Sequence, residues 1–308
     1  LVTGKPQGAV KGFADYRQVS WLAKKYALTA LPSVSSLRAL RRFTKQARAK
    51  SPFIGFGDPL LKGHPGATRG ISLPAVYKNN SRNEISVADV DAVRNLSPLP
   101  ETESELRALS AAVGGHSSNI YLREAATERT IKGLDLSQSR IIAFATHALV
   151  AGDLKNSEPA LVMTPPKRGT ALDDGLLTSS EVAQLKLNAD LVILSACNTA
   201  AGDGTEGAEG LSGLAKAFFY AGGRSLLVSH WPVQTDAAVK LTTKMLKEVA
   251  NDNKIGRSEA LRRSMVALME DKGNPEFAHP AYWAPFVVVG EGGTYAVKGV
   301  PQNDKTAV

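Results

Sequence analysis

The stretch "DLVILSACNTAAGDG", residues 190–204, decides the predicted fold. Its first half is an apolar, β-prone run of the kind that forms a strand buried on both faces of a parallel sheet. The run leads to Cys197, the only cysteine among 308 residues, and a loop of small residues follows. A second run, "RIIAFATHALVAGD" at residues 140–153, has the same form and places His147 directly after its strand. Two buried strands that each end at a chemically active side chain are the starting point of the prediction.

Strand and helix signals alternate along most of the chain, which predicts an α/β protein with a mostly parallel central sheet and helices on both faces. We predict strands at residues 26–31, 52–59, 119–122, 141–146, 160–164, 190–196, 225–230 and 284–290, with 160–164 as an outer strand of the same sheet. We predict helices at residues 33–50, 101–115, 124–132, 178–187, 208–221, 234–250 and 256–271. Residues 58–100, rich in Gly, Pro, Asn and Ser, are predicted to be a long insertion.

The composition is that of an ordinary globular protein, with 43% hydrophobic and 21% charged residues. A single cysteine excludes an internal disulfide and favours a reducing compartment, so we expect a cytoplasmic location. Membrane association is not expected, because no apolar run reaches the roughly 20 residues that span a bilayer. The Cys and His spacings match no metal motif, and "GDGTEGAEG" (residues 202–210) lacks the Lys and Ser/Thr ending of a phosphate loop, so neither metal nor cofactor is expected.

The net charge of +8 is concentrated near the start of the chain. Residues 1–50 contain eleven Lys and Arg against the single acid Asp15, a local charge of +10. One interpretation is the solvated face of amphipathic helices, and the other is a surface for nucleic acid. The absence of interleaved aromatic residues favours the first interpretation. We therefore expect contact with nucleic acid only indirectly, through a larger complex.

His147 and Cys197 are candidate partners in catalysis. Binding sites of open α/β sheets lie beyond the carboxyl ends of the strands, and both residues follow such ends. A thiol has a pKa of about 8.5, and a neighbouring imidazole that takes its proton makes it a nucleophile at neutral pH. The alternative is an inert, buried thiol, a frequent role of single free cysteines.

The segments "FATHALVAGD" (residues 144–153) and 173–233 resemble the CHAT domain family of caspase-like domains, which usually follow tetratricopeptide repeats in bacterial proteins. The blocks "YALTALPSVSSLRAL", "FIGFGDP" and "LPETESELRAL" are similar to upstream parts of that family. The resemblance extends from about residue 20 to 290 and implies a caspase-like fold. It also implies a cysteine endopeptidase that uses a dyad of His147 and Cys197.

The resemblance implies further site residues. The N–H groups of Ala148 and Cys197 would form the oxyanion hole, and Ala148 replaces the glycine that usually follows the histidine in caspase-like enzymes. Ser195, two residues before the cysteine, would help to form the first specificity pocket. Three acids are candidates for a pocket that binds a basic residue, and their alternative interpretation is solvated loop acids: Asp153, Asp173 and Asp174.

The predicted organisation is one large domain within a longer protein. Residues 1–20 are expected to be a linker or the end of an upstream region, residues 21–300 the CHAT domain, and residues 301–308 a tail. The expected function is cleavage of a protein substrate, held latent or regulated by upstream tetratricopeptide repeats or a partner. The competing hypothesis is a catalytically silent module that binds peptides or proteins.

Overall fold

Ten strands form two sheets in the part of the chain that the structure describes. This computed structural model describes residues 2–4, 10–31, 49–64, 88–149, 158–195, 213–231, 233–252 and 254–293. The strands are β1 (Thr29–Ala30), β2 (Ser51–Gly57), β3 (Ile120–Leu122), β4 (Ser139–Ala145), β5 (Ala148–Leu149), β6 (Ala160–Val162), β7 (Leu176–Thr178), β8 (Leu191–Leu194), β9 (Ser225–Ser229) and β10 (Phe286–Gly290). A seven-stranded central sheet has the order β1-β10-β9-β8-β4-β2-β3, and a small sheet has the order β5-β6-β7.

The central sheet is mostly parallel. The pairs β2–β3, β2–β4, β4–β8, β8–β9 and β1–β10 are parallel, while β9–β10 is antiparallel. Strands β3, β2, β4, β8 and β9 consequently end at one edge of the sheet, which we call the carboxyl edge. The predicted mostly parallel α/β architecture is confirmed.

Helices pack on both faces of the central sheet. The α-helices of the described residues are α1 (Leu22–Lys25), α2 (Val90–Arg94), α3 (Glu101–Ala112), α4 (Glu128–Gly133), α5 (Ser179–Gln184), α6 (Gly213–Tyr220), α7 (Thr235–Asn251), α8 (Arg257–Met269) and α9 (Pro280–Trp283), of which α2 packs against the small sheet. Because side chains alternate along a strand, Ile141 and Ala143 of β4 join a core with α3, α7 and α8. Ile142 and Phe144 join a second core with α4, α5 and α6. Burial on both faces explains why β4 is a continuous apolar run.

The prediction for residues 160–164 is wrong. The strand there, β6, belongs to the small antiparallel sheet and not to the central sheet. Its three residues are fully buried, which explains the apolar run. A short apolar run indicates a buried strand but carries no information about which strands pair with it.

Local sequence signals fix the ends of several helices. Thr178 caps α5: its hydroxyl accepts from the Glu181 N–H, and the Glu181 carboxylate accepts from the Thr178 N–H. This is the predicted start of that helix.

Strand β1 is shorter than predicted, and the predicted helix at 33–50 falls almost wholly outside the described residues. Within the predicted insertion, residues 88–100 include α2 and contribute Val93 and Leu96 to a buried cluster.

Candidate active-site edge

His147 lies two residues beyond β4 and is fully buried. Its Nε2 is 2.8 Å from the carbonyl oxygen of Ser97, in the connection between α2 and α3. A carbonyl oxygen can only accept a hydrogen bond, so Nε2 must carry a proton. In the neutral imidazole, Nδ1 is then the basic nitrogen. The Ser97 carbonyl thereby sets both the tautomer and the orientation of the ring.

Strand β8 lies next to β4, as a meeting of the two candidate residues requires. Phe144 of β4 is in register with Leu194 of β8, and the Ser195 N–H donates to the Phe144 carbonyl over 2.8 Å. His147 and Cys197 each follow their member of this pair by three positions in the sequence. Cys197 and Asp153 lie outside the described residues, so their assignments stay predictions.

Ala148 begins β5, where the chain leaves the central sheet and enters the small one. The Val162 N–H donates to the His147 carbonyl over 2.9 Å, and Ala148 is in register with Leu161. Hydrogen-bonded and non-hydrogen-bonded pairs alternate in an antiparallel ladder, so the Ala148 N–H points away from β6. Ala148 has an extended backbone and not a left-handed one. Alanine therefore fits this position without strain, with its N–H directed out of the small sheet.

Glu105 is a buried acid beside the end of β8 that the sequence prediction missed. It lies on α3, has no exposed surface, and accepts a hydrogen bond from the Ser195 hydroxyl through Oε1. Ser195, predicted as a pocket residue, is thus bound to an acid from another element. The available signal was a charge within the buried stripe of an amphipathic helix.

At the same edge, an ion pair joins the ends of β2 and β3, and both of its residues have an unusual backbone conformation. Asp58 and Arg123 have left-handed backbones, with φ values of 45° and 51°, which are uncommon outside glycine. The Arg123 Nε lies 3.0 Å from the Asp58 Oδ2, and the Arg123 N–H donates to the Asp58 carbonyl. Burial raises the pKa of the Asp58 carboxyl despite the nearby guanidinium. The pair holds two neighbouring strand ends together.

Asp173 and Asp174, the other candidate pocket acids, are engaged in local structure. The Asp174 carboxylate accepts from the N–H groups of Ala88 and Leu176, and the Asp173 carboxylate lies 3.6 Å from the Arg129 Nε. Burial raises the pKa of both carboxyls. Their proposed part in a specificity pocket stays a prediction.

Glu128 of α4 anchors the loop before β7. Its Oε1 accepts from the N–H groups of Asp174 and Gly175, and its Oε2 lies 2.7 Å from the Lys132 Nζ. Lys132 also binds Glu181 at 2.7 Å and the Leu172 carbonyl at 2.8 Å. Burial outweighs these favourable contacts and raises the pKa of Glu128 to about 7.

An apolar cavity of about 340 Å³ opens at the carboxyl edge beside the end of β9. His230 and Trp231, directly after β9, line this cavity, and burial lowers the pKa of His230. Residues of α1, α8 and β10 form the other walls. Trp231 and Tyr26 at this cavity are both exposed.

The overall pattern of the sequence identifies the domain type. A profile of the CHAT domain matches residues 9–291, nearly the whole chain. The chain belongs to the CHAT domain family. This finding confirms the resemblance drawn from the segments around His147 and Cys197.

The relatives of this CHAT domain include tetratricopeptide repeat protein 28 of Homo sapiens, which is 27% identical over 299 residues, and of Mus musculus, 28% identical over 221 residues. The alignments cover 88% and 63% of the chain, but 11% and 9% of the two relatives. The chain therefore spans about a tenth of these proteins. Both relatives are mammalian, and the bacterial source that the resemblance implies stays a prediction.

Two solved structures of gingipain R were also found similar to the domain. They are the crystal structure of the Arg-specific cysteine proteinase gingipain R and the complex of its pro- and mature domains from Porphyromonas gingivalis. Each superposes with a TM-score of 0.45 and 11% identity over 85% of this chain, and over 52% and 53% of the gingipain chains.

The part of the chain that the structure describes contains no group of three or more His, Cys, Asp or Glu side chains able to hold a metal ion. In the same residues, no helix combines the length and the apolar character that crossing a bilayer requires.

Proposed function

We propose that this CHAT domain is a cysteine endopeptidase in which His147 and Cys197 act as a dyad. The observation that carries the proposal is the hydrogen bond from the buried His147 Nε2 to the Ser97 carbonyl, which leaves Nδ1 as the basic nitrogen. The adjacency of β4 and β8 supports the pairing, because Phe144 and Leu194 are in register and each precedes a proposed dyad residue by three positions in the sequence. A packing role alone does not require a buried imidazole with a fixed tautomer at a strand end.

In the proposed mechanism, the Cys197 thiol transfers its proton to the His147 Nδ1, and the thiolate attacks the carbonyl carbon of the scissile peptide bond. The N–H groups of Ala148 and Cys197 stabilise the oxyanion of the tetrahedral intermediate. As the C–N bond breaks, the leaving amine takes the proton from Nδ1. Water, activated by the same nitrogen, then hydrolyses the thioester and restores the thiol.

The direction of the Ala148 N–H supports its part in this mechanism. Since the ladder directs this N–H away from β6, the donor need not break a sheet hydrogen bond to bind an oxyanion. One such donor contributes a factor of about 10² to 10³ in rate. A change in the orientation of this peptide would silence the enzyme without altering either dyad residue, which is a physical route to the latency expected from the sequence.

The test is the pH dependence of Cys197 alkylation by iodoacetamide, followed by intact mass, in the wild-type chain and in His147→Ala. We expect an apparent thiol pKa well below about 8.5 in the wild type and a rise toward that value in the variant. A thiol that titrates near 8.5 in both proteins would contradict the dyad. A folded His147→Ala variant, checked by urea unfolding, is needed for either conclusion.

A silent peptide-binding module is the second candidate. The apolar cavity at His230 and Trp231 favours it, because large apolar clefts at the edge of a sheet are typical of binding sites. The same alkylation series separates the two functions, since a binding module needs no activated thiol.

The names of the two relatives support a further part of the proposal, that upstream tetratricopeptide repeats act in cis on this domain. Such repeats would select the protein substrate or release the site from latency. Comparing peptide hydrolysis by this chain with that by the longer natural protein tests the regulatory role.

A further inference from the structure

The short segment from Ser97 to Glu105 contacts four neighbouring strand ends at the carboxyl edge. After β3, Arg123 lies 3.7 Å from Glu103, and after β2, the Asp58 N–H donates to the Thr102 Oγ1 at 2.8 Å. After β4, His147 binds the Ser97 carbonyl, and after β8, Ser195 binds Glu105. The strands β3, β2, β4 and β8 are consecutive in the sheet. One continuous piece of chain therefore contacts both strand ends that lead to the proposed dyad.

Glu105 occupies a position where the helix pattern calls for an apolar residue. The buried residues of α3 are Thr102, Glu105, Leu106, Leu109 and Ser110, one stripe along the helix. Leu106 and Leu109 pack into the core of this face, whereas Glu105 places a carboxyl group there. Burial of a carboxylate is costly unless hydrogen bonds offset the lost hydration, so leucine would suit packing better.

Ser195 is held from two directions. Its N–H continues the ladder to the Phe144 carbonyl of β4, and its hydroxyl donates to Glu105 of α3. Two residues later the sequence reaches Cys197. Ser195, two residues before Cys197 in the sequence, is thus tied to β4, which precedes His147, and to the helix that follows Ser97.

We propose that Glu105 is a positioning residue for the peptidase site: it fixes Ser195, two residues before Cys197 in the sequence, relative to His147. The inference rests on the proposed function, because it concerns the alignment of the same dyad. Glu105 touches neither the substrate nor the reacting atoms in this role.

The test uses a variant in which folding and alignment are expected to respond differently. In Glu105→Leu/Ser195→Ala, both members of this hydrogen bond are removed together, so neither is left facing the vacated position of the other. Replacement of both partners of a buried hydrogen bond by apolar groups of similar shape is often nearly neutral or stabilising. A purely structural role therefore predicts a stable protein with an unchanged site.

We expect the double variant to unfold in urea at or above the wild-type midpoint, while the apparent pKa of Cys197 alkylation rises by about one unit. Alkylation at a pH well below both pKa values then slows about tenfold, because the thiolate fraction falls in proportion there. Glu103→Leu on the same helix is the matched control and should keep the wild-type profile. Ser195→Ala should reproduce the rise, and Ser195→Thr, which keeps the hydroxyl, should restore the lower pKa.

A folded double variant with the wild-type alkylation profile would overturn the positioning role. An equal rise of the apparent pKa in Glu103→Leu would overturn it as well, since the effect would then be general to the helix. If the double variant fails to unfold cooperatively, the comparison of Ser195→Ala with Ser195→Thr decides, and identical profiles refute the proposal. If the wild-type profile itself does not respond to His147→Ala, the dyad fails first, and the positioning role falls with it.

Discussion

The buried carboxyl of Glu128 predicts a specific loss of stability as the pH rises. Its side chain is 1% exposed, and burial raises its pKa from 4.5 to about 7 in the folded chain. The protonated form is therefore favoured by folding. The stabilisation from this group is complete below the unfolded pKa and is lost as the pH rises through the folded pKa.

The size of the effect follows from the two pKa values. Each unit of difference corresponds to about 1.4 kcal/mol, so the free energy of unfolding should fall by about 2–3 kcal/mol between pH 5 and pH 8 because of Glu128 alone. Glu128→Gln mimics the protonated form and does not titrate. The difference in unfolding free energy between wild type and this variant isolates the group, because the other titrating side chains are common to both proteins.

The assay is urea unfolding of both proteins at pH 5, 6, 7 and 8, with Glu270→Gln as a control for the loss of a half-exposed carboxylate. We expect the wild type to lose stability relative to Glu128→Gln as the pH rises, and Glu270→Gln to show no such trend. A difference that stays constant over this range would refute the reasoning. A difference of opposite slope would mean that Lys132 and the two loop N–H groups outweigh burial.

Three other predictions concern single positions. Ala148→Pro removes the N–H that points away from β6, so peptidase activity should fall by about 10² or more while the small sheet remains folded by circular dichroism. Gly57→Ala places a Cβ 2.7 Å from the Ala145 carbonyl and 2.8 Å from the Leu106 side chain, which should lower the unfolding free energy by about 1–3 kcal/mol in urea titrations. Thr178→Ala removes the cap of α5 and should cost about 1 kcal/mol by the same method, whereas Thr178→Ser should retain most of it.

Local patterns predicted the two strands that lead to the candidate site. The buried runs before His147 and Cys197 are β4 and β8, and both are apolar because helices cover the two faces of the sheet. The parallel arrangement that brings two strand ends to one edge follows from the alternation of strands and helices. The sequence therefore contained enough information to predict these two strands and the edge at which they end, and the roles of His147 and Ala148 stay predictions.

Contacts between distant elements could not be predicted in this way. The Ser97 carbonyl and the Glu105 carboxyl reach the edge because α3 packs against β2 and β4, and no local pattern encodes that packing. The wrong placement of residues 160–164 has the same origin, since strand pairing depends on tertiary structure. A charge in the apolar stripe of α3 was the single local sign of the Glu105 contact.

The chain passes from the central sheet to the small sheet between residues 145 and 148. The His147 imidazole is bound to the Ser97 carbonyl after α2, whereas the His147 carbonyl and Ala148 pair with β6 of the small sheet, which Glu128 ties to α4. A rotation of the small sheet would displace the Ala148 N–H and leave the imidazole in place. In the proposed mechanism, a movement of the small sheet would then change oxyanion binding without changing proton transfer, although adjacent residues in the chain supply the two groups.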